Sequence, residues 1–343
     1  MLLGQSESRR RPYHTNHMRR PPVPLVLPAL ALGVVALLLL SLALGSAPLP
    51  LAEVLAALQP GGEPTLARDV VLELRLPRAL AALGVGALLA LSGSILQVLL
   101  RNPLADPYVL GVSGGASVAA LLGLMAGVPV AAVDGLAALG ALGAGLLVFA
   151  LAQGPGGWTP ARLLLTGVVV AAGAGSVVSL LLSLSDDTRL RGMVFWLLGD
   201  LSRSQRWGWL LGLAAVATLA GRALGRHLNV LAQGETQAQS VGMNVRGFQA
   251  GLFVLTALMT GAAVSAAGSI GFIGLVTPHL VRMSLGTDHR LMLPSAALLG
   301  GMLLMAADLA ARTLVAPRQL PVGALTALVG VPVFLYLMSR QQR

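Results

Sequence analysis

Residues 111–115 read Gly-Val-Ser-Gly-Gly, which fits the G-x-S-x-G pattern that presents a nucleophilic serine on a sharp turn. Such a serine needs a general base, and His279, which follows Pro278, is the candidate in this chain. Short glycine and serine patterns arise easily, however, in a chain with 42 glycines. We therefore interpret Gly111, Ser113 and Gly114 as a glycine-rich helix start that packs against neighbouring helices.

The composition excludes several other chemistries. All 23 basic residues are arginine, so the chain lacks the P-loop lysine and cannot hydrolyse ATP by the Walker mechanism alone. The absence of lysine also excludes Schiff-base chemistry, and the absence of cysteine excludes disulfides, thiolate nucleophiles and iron–sulfur sites. The five histidines include no H-E-x-x-H pair, and few carboxylates lie near them in sequence, so no metal site is predicted. His279 is expected to be a hydrogen-bonded structural histidine at a break in a helix.

The elements that position these residues are membrane helices. The chain is 56% hydrophobic and 10% charged, whereas a soluble domain carries about 25% charge. We predict an all-α polytopic membrane protein with about ten spans, since each apolar run approaches the ~20 residues needed to cross a bilayer. Their approximate limits are 23–46, 78–100, 110–127, 135–153, 162–184, 207–225, 248–267, 269–285, 291–313 and 321–339.

The N-terminus differs from the rest of the chain. Residues 1–20 carry a block of five arginines and are predicted to be a disordered basic tail, with Met1 and Met18 both open as start sites. Residues 21–343 form one transmembrane domain. A basic block beside a span holds that end in the cytoplasm, and an even number of spans then places both termini there. The other arginines are scattered, which does not indicate nucleic-acid binding.

Three arginines run against this charge rule. The predicted orientation places Arg75, Arg78 and Arg312 near the outer face of the membrane, although positive charge normally accumulates inside. Asp308 lies four residues before Arg312 on the ninth span, and charges in lipid are costly. The spacing predicts that Asp308 and Arg312 pair with each other or lie near the outer surface.

Two glycine- and proline-rich stretches predict close packing and breaks. Gly268, Gly271 and Gly274 stand three apart and would leave one helix face bare for packing in lipid, before Pro278 interrupts the apolar run. Asn102 and Pro103 begin a second stretch that continues to Pro107. Two prolines four apart forbid a continuous helix there and predict a rigid break.

The most polar island after the tail, residues 226–247, is predicted to be cytoplasmic. Gly234, Ala238 and Gly242 stand four apart, so they would line one face of a short helix. Such a small-residue face could fit closely into a groove of a partner protein. The alternative interpretation is an ordinary capped loop.

Together these segments resemble the permease family of ABC importers for ferric siderophores, haem and cobalamin (FecCD/BtuC type). The matching pieces follow the family order over about residues 23–340: 74–78, Ser92-Gly93 with Gln97, 101–116, Phe195-Trp196 with Gly199, 234–242, 268–290, Asp308, Arg312, 320–323 and 330–332.

The resemblance implies a type II ABC importer permease that is itself no enzyme and lies in the cytoplasmic (inner) membrane as a multi-pass protein. It implies partners as well: a second permease copy, two cytoplasmic ATPase subunits and an external substrate-binding protein. No cofactor would be bound directly, since Mg-ATP belongs to the ATPase subunits. The expected cargo is a bulky metal chelate, a ferric siderophore first, with haem or cobalamin as the alternatives.

The resemblance also implies roles for particular residues. Gly234, Glu235, Ala238 and Gly242, within a coupling segment at about 229–246, would contact the ATPase, and Arg75, Arg78 and Arg312 would dock the binding protein. The translocation path and its packing would involve Gln97, Asn102, Pro103, Gly111, Ser113, Gly114, Gly271, Gly274, Pro278 and His279. Gln319 departs from the family pattern, because a glutamate is usual at that position.

Two rival classes remain open at this stage. A rhomboid-like intramembrane serine protease would use Ser113 and His279, and would have six or seven spans and no ATPase. A proton- or sodium-coupled secondary transporter would need carboxylates in the membrane, and Asp308 is nearly the only candidate.

Overall fold

The computed structural model describes residues 23–341, except residues 46, 62, 156 and 203–206. The basic tail and its predicted disorder therefore lie outside the described residues, as do both candidate start sites. Fourteen α-helices and no β-strand occur in the part described. They are α1 Val23–Ala43, α2 Leu51–Ala57, α3 Leu66–Asp69, α4 Leu76–Leu99, α5 Val112–Met125, α6 Val130–Ala152, α7 Pro160–Ser183, α8 Asp187–Leu197, α9 Trp207–Ala232, α10 Glu235–Ser240, α11 Val245–Ala267, α12 Ile273–Leu285, α13 His289–Thr313 and α14 Val322–Gln341.

Eight of the described helices are long and apolar enough to cross a membrane, against the ten spans expected from the sequence. The two remaining candidates are α5, with 14 residues, and α12, with 13 residues. At 1.5 Å per residue these helices are about 20 Å long, shorter than the ~30 Å hydrocarbon layer. The helices at 110–127 and 269–285 are therefore shorter than the spans predicted there, because non-helical backbone precedes each of them.

The helix α4 lies at the centre of the bundle. A π-helical turn, Val70–Arg75, joins it to α3. Within Leu66–Leu99, 89% of the most apolar stretch is buried inside the chain. The helices α1, α9, α11, α12 and α13 all pack on it. Glycines permit the closest approach: a Cβ on Gly86 would overlap the backbone of Gly300 on α13. By contrast, only 11% of the most apolar stretch of α7 is buried in the single chain.

The break before α12 differs from the one expected at Pro278. Residues 268–272 are not helical, and Gly268 (φ +69°) and Phe272 (φ +70°) adopt left-handed backbone conformations. Gly268 and Gly271 therefore share no helix face with Gly274, contrary to the prediction. Pro278 lies inside α12, which continues through it to Leu285.

The other predicted break is confirmed. The residues after α4 are irregular, a 3₁₀ turn covers Pro107–Leu110, and Gly111 (φ +72°) precedes α5. The predicted packing of this helix start is also confirmed. A Cβ on Gly114 would lie 2.7 Å from Cβ of Ala174 on α7, and one on Gly115 would overlap Gly140 on α6.

Candidate functional site

The two irregular segments meet beside the middle of α4. The hydroxyl of Tyr108 donates to the carbonyl oxygen of Ile270 and accepts from its backbone N–H, both at 2.9 Å. One side chain thus satisfies both backbone groups of a residue outside any helix. Irregular backbone at membrane depth persists only where such partners or a water-filled cavity exist.

Three further contacts complete this junction. Ser113 and Ser269 share a hydrogen bond of 3.1 Å. A Cβ on Gly93 of α4 would overlap the carbonyl oxygen of Gly274, and a Cβ on Gly274 would lie 2.9 Å from Cγ of Pro107. The junction therefore brings together the starts of α5 and α12.

The protease arrangement is not formed. Ser113 bonds to Ser269, and the Nε2 atom of His279 is buried without a hydrogen-bond partner. His279 instead faces the ring of Phe334 on α14 edge-on, with centroids 6.2 Å apart. The prediction of a hydrogen-bonded histidine is wrong for this nitrogen, and Ser113 and His279 do not form a pair that could act as nucleophile and base.

The predicted coupling segment contains one short helix, α10, between Gly234 and Val241. The helix α9 runs on to Ala232, so the polar island is shorter than expected. Glu235 binds Arg101 at 3.1 Å and accepts a hydrogen bond from Gln249 on α11, also at 3.1 Å. Glu235 therefore ties α10 to both the end of α4 and the start of α11.

The small residues at 234, 238 and 242 do not form the common partner-facing surface that their spacing predicted. Ala238 is fully buried in the chain's own core, so it cannot contact a partner. Gly242 is exposed with φ +82°, a conformation that other residues rarely adopt, so its own backbone already accounts for the glycine. The apolar side chain that this surface offers is Val241, which is 65% exposed.

A second polar group lies near the C-terminal end of α12, which the predicted orientation places on the cytoplasmic side. Arg282 donates to Oε1 of Gln97 on α4 at 2.8 Å, and Nε2 of Gln97 reaches the carbonyl oxygen of Leu275 at 3.4 Å. Just beyond the end of α4, Asn102 donates its backbone N–H to the carbonyl oxygen of Gln97 at 3.1 Å. Pro103, next to it, is exposed.

The turn between α12 and α13 is fixed to α9. The side-chain amide of Asn229 donates to Oδ1 of Asp288 at 2.9 Å, and Oδ1 of Asn229 accepts the backbone N–H of His289, also at 2.9 Å. Hydrogen bonds from Arg290 and then Asn229 hold the pKa of the Asp288 carboxyl well below its ordinary value. Because α9 leads directly into α10, the contacts of Asn229 connect this turn to the coupling segment.

The three outer arginines are gathered in space, as the span assignment implied, but they are buried. Nε of Arg78 lies 2.8 Å from Oδ1 of Asp308, and Nε of Arg312 lies 3.0 Å from Oδ2, so the predicted pairing of Asp308 with Arg312 is confirmed. Arg75 donates to the carbonyl oxygens of Leu42 (2.7 Å), Ala43 (3.0 Å) and Ala47, at the end of α1. Asp308, engaged by two guanidinium groups, is poorly suited to carry a coupling ion.

These arginines line an outer cavity of about 320 Å³. Glu73, Ser202 and Gln319 lie in the same wall. Gln319, which replaces the glutamate usual in the family, accepts a hydrogen bond from Arg78 at 2.7 Å. Docking of a binding protein at this cavity stays a prediction. A carboxylate docked there would bind arginines that already form hydrogen bonds to Asp308, Gln319 and the end of α1.

Sequence reasoning missed Tyr108, Phe272, Arg282, Asn229 and Asp288. An ionisable residue such as Arg282 in an apolar run was a usable signal for a functional position. Nothing local could reveal that Tyr108 bonds to a backbone 162 residues away. In the described part of the chain, no group of three metal-binding side chains is present.

Comparison with known proteins gives one consistent result. Residues 33–340 match the FecCD transport family. The chain is 43% identical to the hemin transport system permease protein HmuU of Yersinia pestis, over 92% of this chain and 97% of HmuU. It is 43% identical to the vitamin B12 import system permease protein BtuC of Vibrio cholerae, over 80% of this chain and 84% of BtuC. It is 38% identical to the Fe(3+) dicitrate transport system permease protein FecC of Escherichia coli, over 83% of this chain and 87% of FecC.

The fold is also that of a solved transporter. A structure assigned to the metal-chelate type of ABC transporters, in an inward-facing conformation, superposes with a TM-score of 0.80. Its sequence is 31% identical, and the match covers 93% of this chain and 99% of that one.

Proposed function

Because the chain belongs to the FecCD transport family, with a match over residues 33–340, we propose that it moves an iron chelate inward through the cytoplasmic membrane. At the coarser level the chain is the permease subunit of an ABC importer for haem, cobalamin or an iron chelate, and it is a multi-pass membrane protein. The observation that carries the proposal is the match to the hemin permease over 97% of that protein's length.

An iron chelate is favoured over cobalamin by the extent of the similarity. The hemin permease aligns with 92% of this chain, whereas the cobalamin permease of Vibrio cholerae aligns with 80% at the same identity. The ferric dicitrate permease extends the iron group to a second kind of chelate. A ferric siderophore, expected from the sequence, stays in this class beside haem.

Two ATPase subunits, two copies of this chain and an external binding protein would make up the transporter. The segment around α10 is suited to the ATPase contact, since it offers Val241 beside the half-exposed pair Arg101–Glu235. The chain itself would be no enzyme and would bind no cofactor, with Mg-ATP held by the ATPase. No nucleic acid would take part.

The outer cavity would receive an acidic side chain of the binding protein. Its wall carries the three arginines, while Asp308 and Glu73 supply two negative charges, so one positive charge is left unbalanced. Charge complementarity of this kind mainly sets the rate and register of docking.

A gene deletion in the native host tests the proposal. Cells without the permease are supplied with haemin, a ferric hydroxamate siderophore or cyanocobalamin as the only usable source of iron or of cobalamin. We expect loss of growth or uptake with at least one iron chelate, restored by the intact gene. A defect confined to cyanocobalamin would contradict the iron assignment, and normal uptake of all three would contradict the import function.

A further inference from the structure

The segment 268–286 is bounded at both ends by unusual backbone. Gly268 (φ +69°) and Phe272 (φ +70°) precede α12, and Gly286 (φ +88°) follows it. A bulky residue such as phenylalanine is rarely left-handed, and such strain collects at sites that switch conformation. Phe272 is held by α14, where a Cβ on Gly330 would lie 2.6 Å from Cβ of Phe272.

The cytoplasmic end of this segment is tied to the elements that lead to α10. Arg282 bonds to Gln97 near the end of α4, and Arg101, four residues later, binds Glu235 of α10. The turn after α12 is held by Asn229 near the end of α9, which leads into α10. A displacement of α10 therefore reaches α12 through two separate polar connections.

The other end of the segment lies at the junction beside the middle of α4. Tyr108 holds Ile270, and Ser113 at the start of α5 bonds to Ser269. Ser113 and Ser269 are both half-buried, whereas most of α4 is fully covered. The segment thus spans the distance between the cytoplasmic surface and this partly open junction.

Two features of α12 suit a helix that changes position during transport. Thr277 Oγ1 and His279 Nε2 are buried on this helix without hydrogen-bond partners, which native structures tolerate at only a few sites. Arg282 has no carboxylate within 4 Å among the described residues and relies on a neutral amide. Unpaired polar atoms and an arginine without a carboxylate partner suit an element that changes its neighbours.

We propose that residues 268–286 move as one piece during transport, driven by α10 through Gln97 and Arg282, and that this movement separates Ser269 from Ser113. Gln97 and Arg282 are positioning residues in this scheme, since they act through α12 and not on the cargo. The proposal rests on the proposed import function, because it requires an ATPase subunit that moves α10.

A reversible disulfide tests the movement. The chain has no native cysteine, so Ser113→Cys with Ser269→Cys introduces a single pair where the two oxygens lie 3.1 Å apart. The complex is purified through a tag on this permease, reconstituted with its binding protein, and assayed with haemin, a ferric hydroxamate and cyanocobalamin. Oxidation should abolish uptake, and dithiothreitol should restore it, whereas oxidation should not change the uptake rate of either single cysteine variant.

Graded changes at Gln97 test the connection to α10. Gln97→Leu removes the contact with Arg282, and Gln97→Glu strengthens it by adding a charge. The leucine variant should hydrolyse ATP while moving fewer cargo molecules per ATP, by about five-fold or more, the range of typical coupling between sites. The glutamate variant should slow hydrolysis and uptake together and keep their ratio. Ser284→Ala, on the exposed side of α12, is the matched control.

The outcomes separate this inference from the import function. If the wild-type complex imports a chelate but the fully oxidised double-cysteine variant imports it equally fast, the movement is wrong and the import function stands. If the leucine variant keeps the wild-type ratio of cargo to ATP, Gln97 is merely structural. If the wild-type complex imports none of the three compounds under ATP, the import function itself fails.

Discussion

The guanidinium of Arg78 on α4 is bonded to the carboxylate of Asp308 on α13, with 2.8 Å between Nε and Oδ1, although 230 residues separate them in sequence. The second oxygen of Asp308 binds Arg312 at 3.0 Å. One buried carboxylate therefore pairs with two arginines and joins α4 to α13.

Removing that carboxylate should destabilise the protein. Asp308→Asn leaves two buried guanidinium groups without a counter-charge, which should cost about 3 kcal/mol or more. The expected result is a lower melting temperature in detergent, followed by size-exclusion chromatography with fluorescence detection. Asp200→Asn, a carboxylate that accepts hydrogen bonds from Ser202 on the outer surface, should have little effect. Equal melting temperatures for both variants would show that the ion cluster contributes little.

Two substitutions of Arg312, one that keeps its charge and one that removes it, separate its effect on docking at the outer cavity from its effect on protein stability. Arg312→Lys keeps the positive charge, whereas Arg312→Gln removes it from the cavity wall. The glutamine variant should bind the external binding protein more slowly and with a weaker dependence on salt, while the lysine variant keeps both.

Surface plasmon resonance at several salt concentrations measures these rates on folded, monodisperse protein. Arg318→Gln alters an exposed outer arginine that does not line the cavity, and should leave the rate nearly unchanged. If Arg312→Gln associates as fast as wild type at every salt concentration, the arginines of the outer cavity stabilise the fold and take no part in docking.

The sequence was sufficient for the fold class and for the local features that depend on residue type. Apolar runs predicted the membrane helices, and Pro103 with Pro107 predicted the break before α5. The spacing of Asp308 and Arg312 predicted their pairing, because residues four apart on a helix are neighbours. None of these conclusions required knowledge of contacts between distant segments.

The errors arose where tertiary contacts override local pattern. The apolar run predicted a span at 269–285, but Tyr108, distant in sequence, stabilises a non-helical start to it. The four-residue spacing of 234, 238 and 242 suggested a face for a partner, yet Ala238 packs inward. Burial of Arg75, Arg78 and Arg312 likewise depends on how α1, α4 and α13 come together.

The exposed Val241 gives a sharper test of ATPase contact than Gly242, whose positive φ would strain any replacement. Val241→Asp places a charge on a side chain that is 65% exposed and has ordinary backbone angles. The variant should fold normally but co-purify with much less ATPase and lose uptake. Val315→Asp, an exposed apolar residue on the opposite face, is the control. Undiminished ATPase in the Val241→Asp preparation would rule out this surface as the contact.

The orientation can be measured with single cysteines, since the chain has none of its own. Gln239→Cys on α10 should be protected from a membrane-impermeant maleimide in spheroplasts and become labelled after permeabilisation. Glu63→Cys, between α2 and α3, should be labelled in both conditions. Labelling of residue 239 in sealed spheroplasts would invert the topology and with it the assignment of coupling and docking faces.

Uptake by the purified complex in sealed proteoliposomes tests the central claim most directly. The complex is reconstituted with ATP enclosed and loaded binding protein outside, and accumulation of haemin iron or ferric hydroxamate iron is followed over time. Accumulation should require ATP hydrolysis, fail with a non-hydrolysable analogue, and continue when proton and sodium gradients are collapsed. Accumulation that proceeds without ATP but stops when an ion gradient is collapsed would contradict the claim that this chain is the permease of an ATP-driven importer.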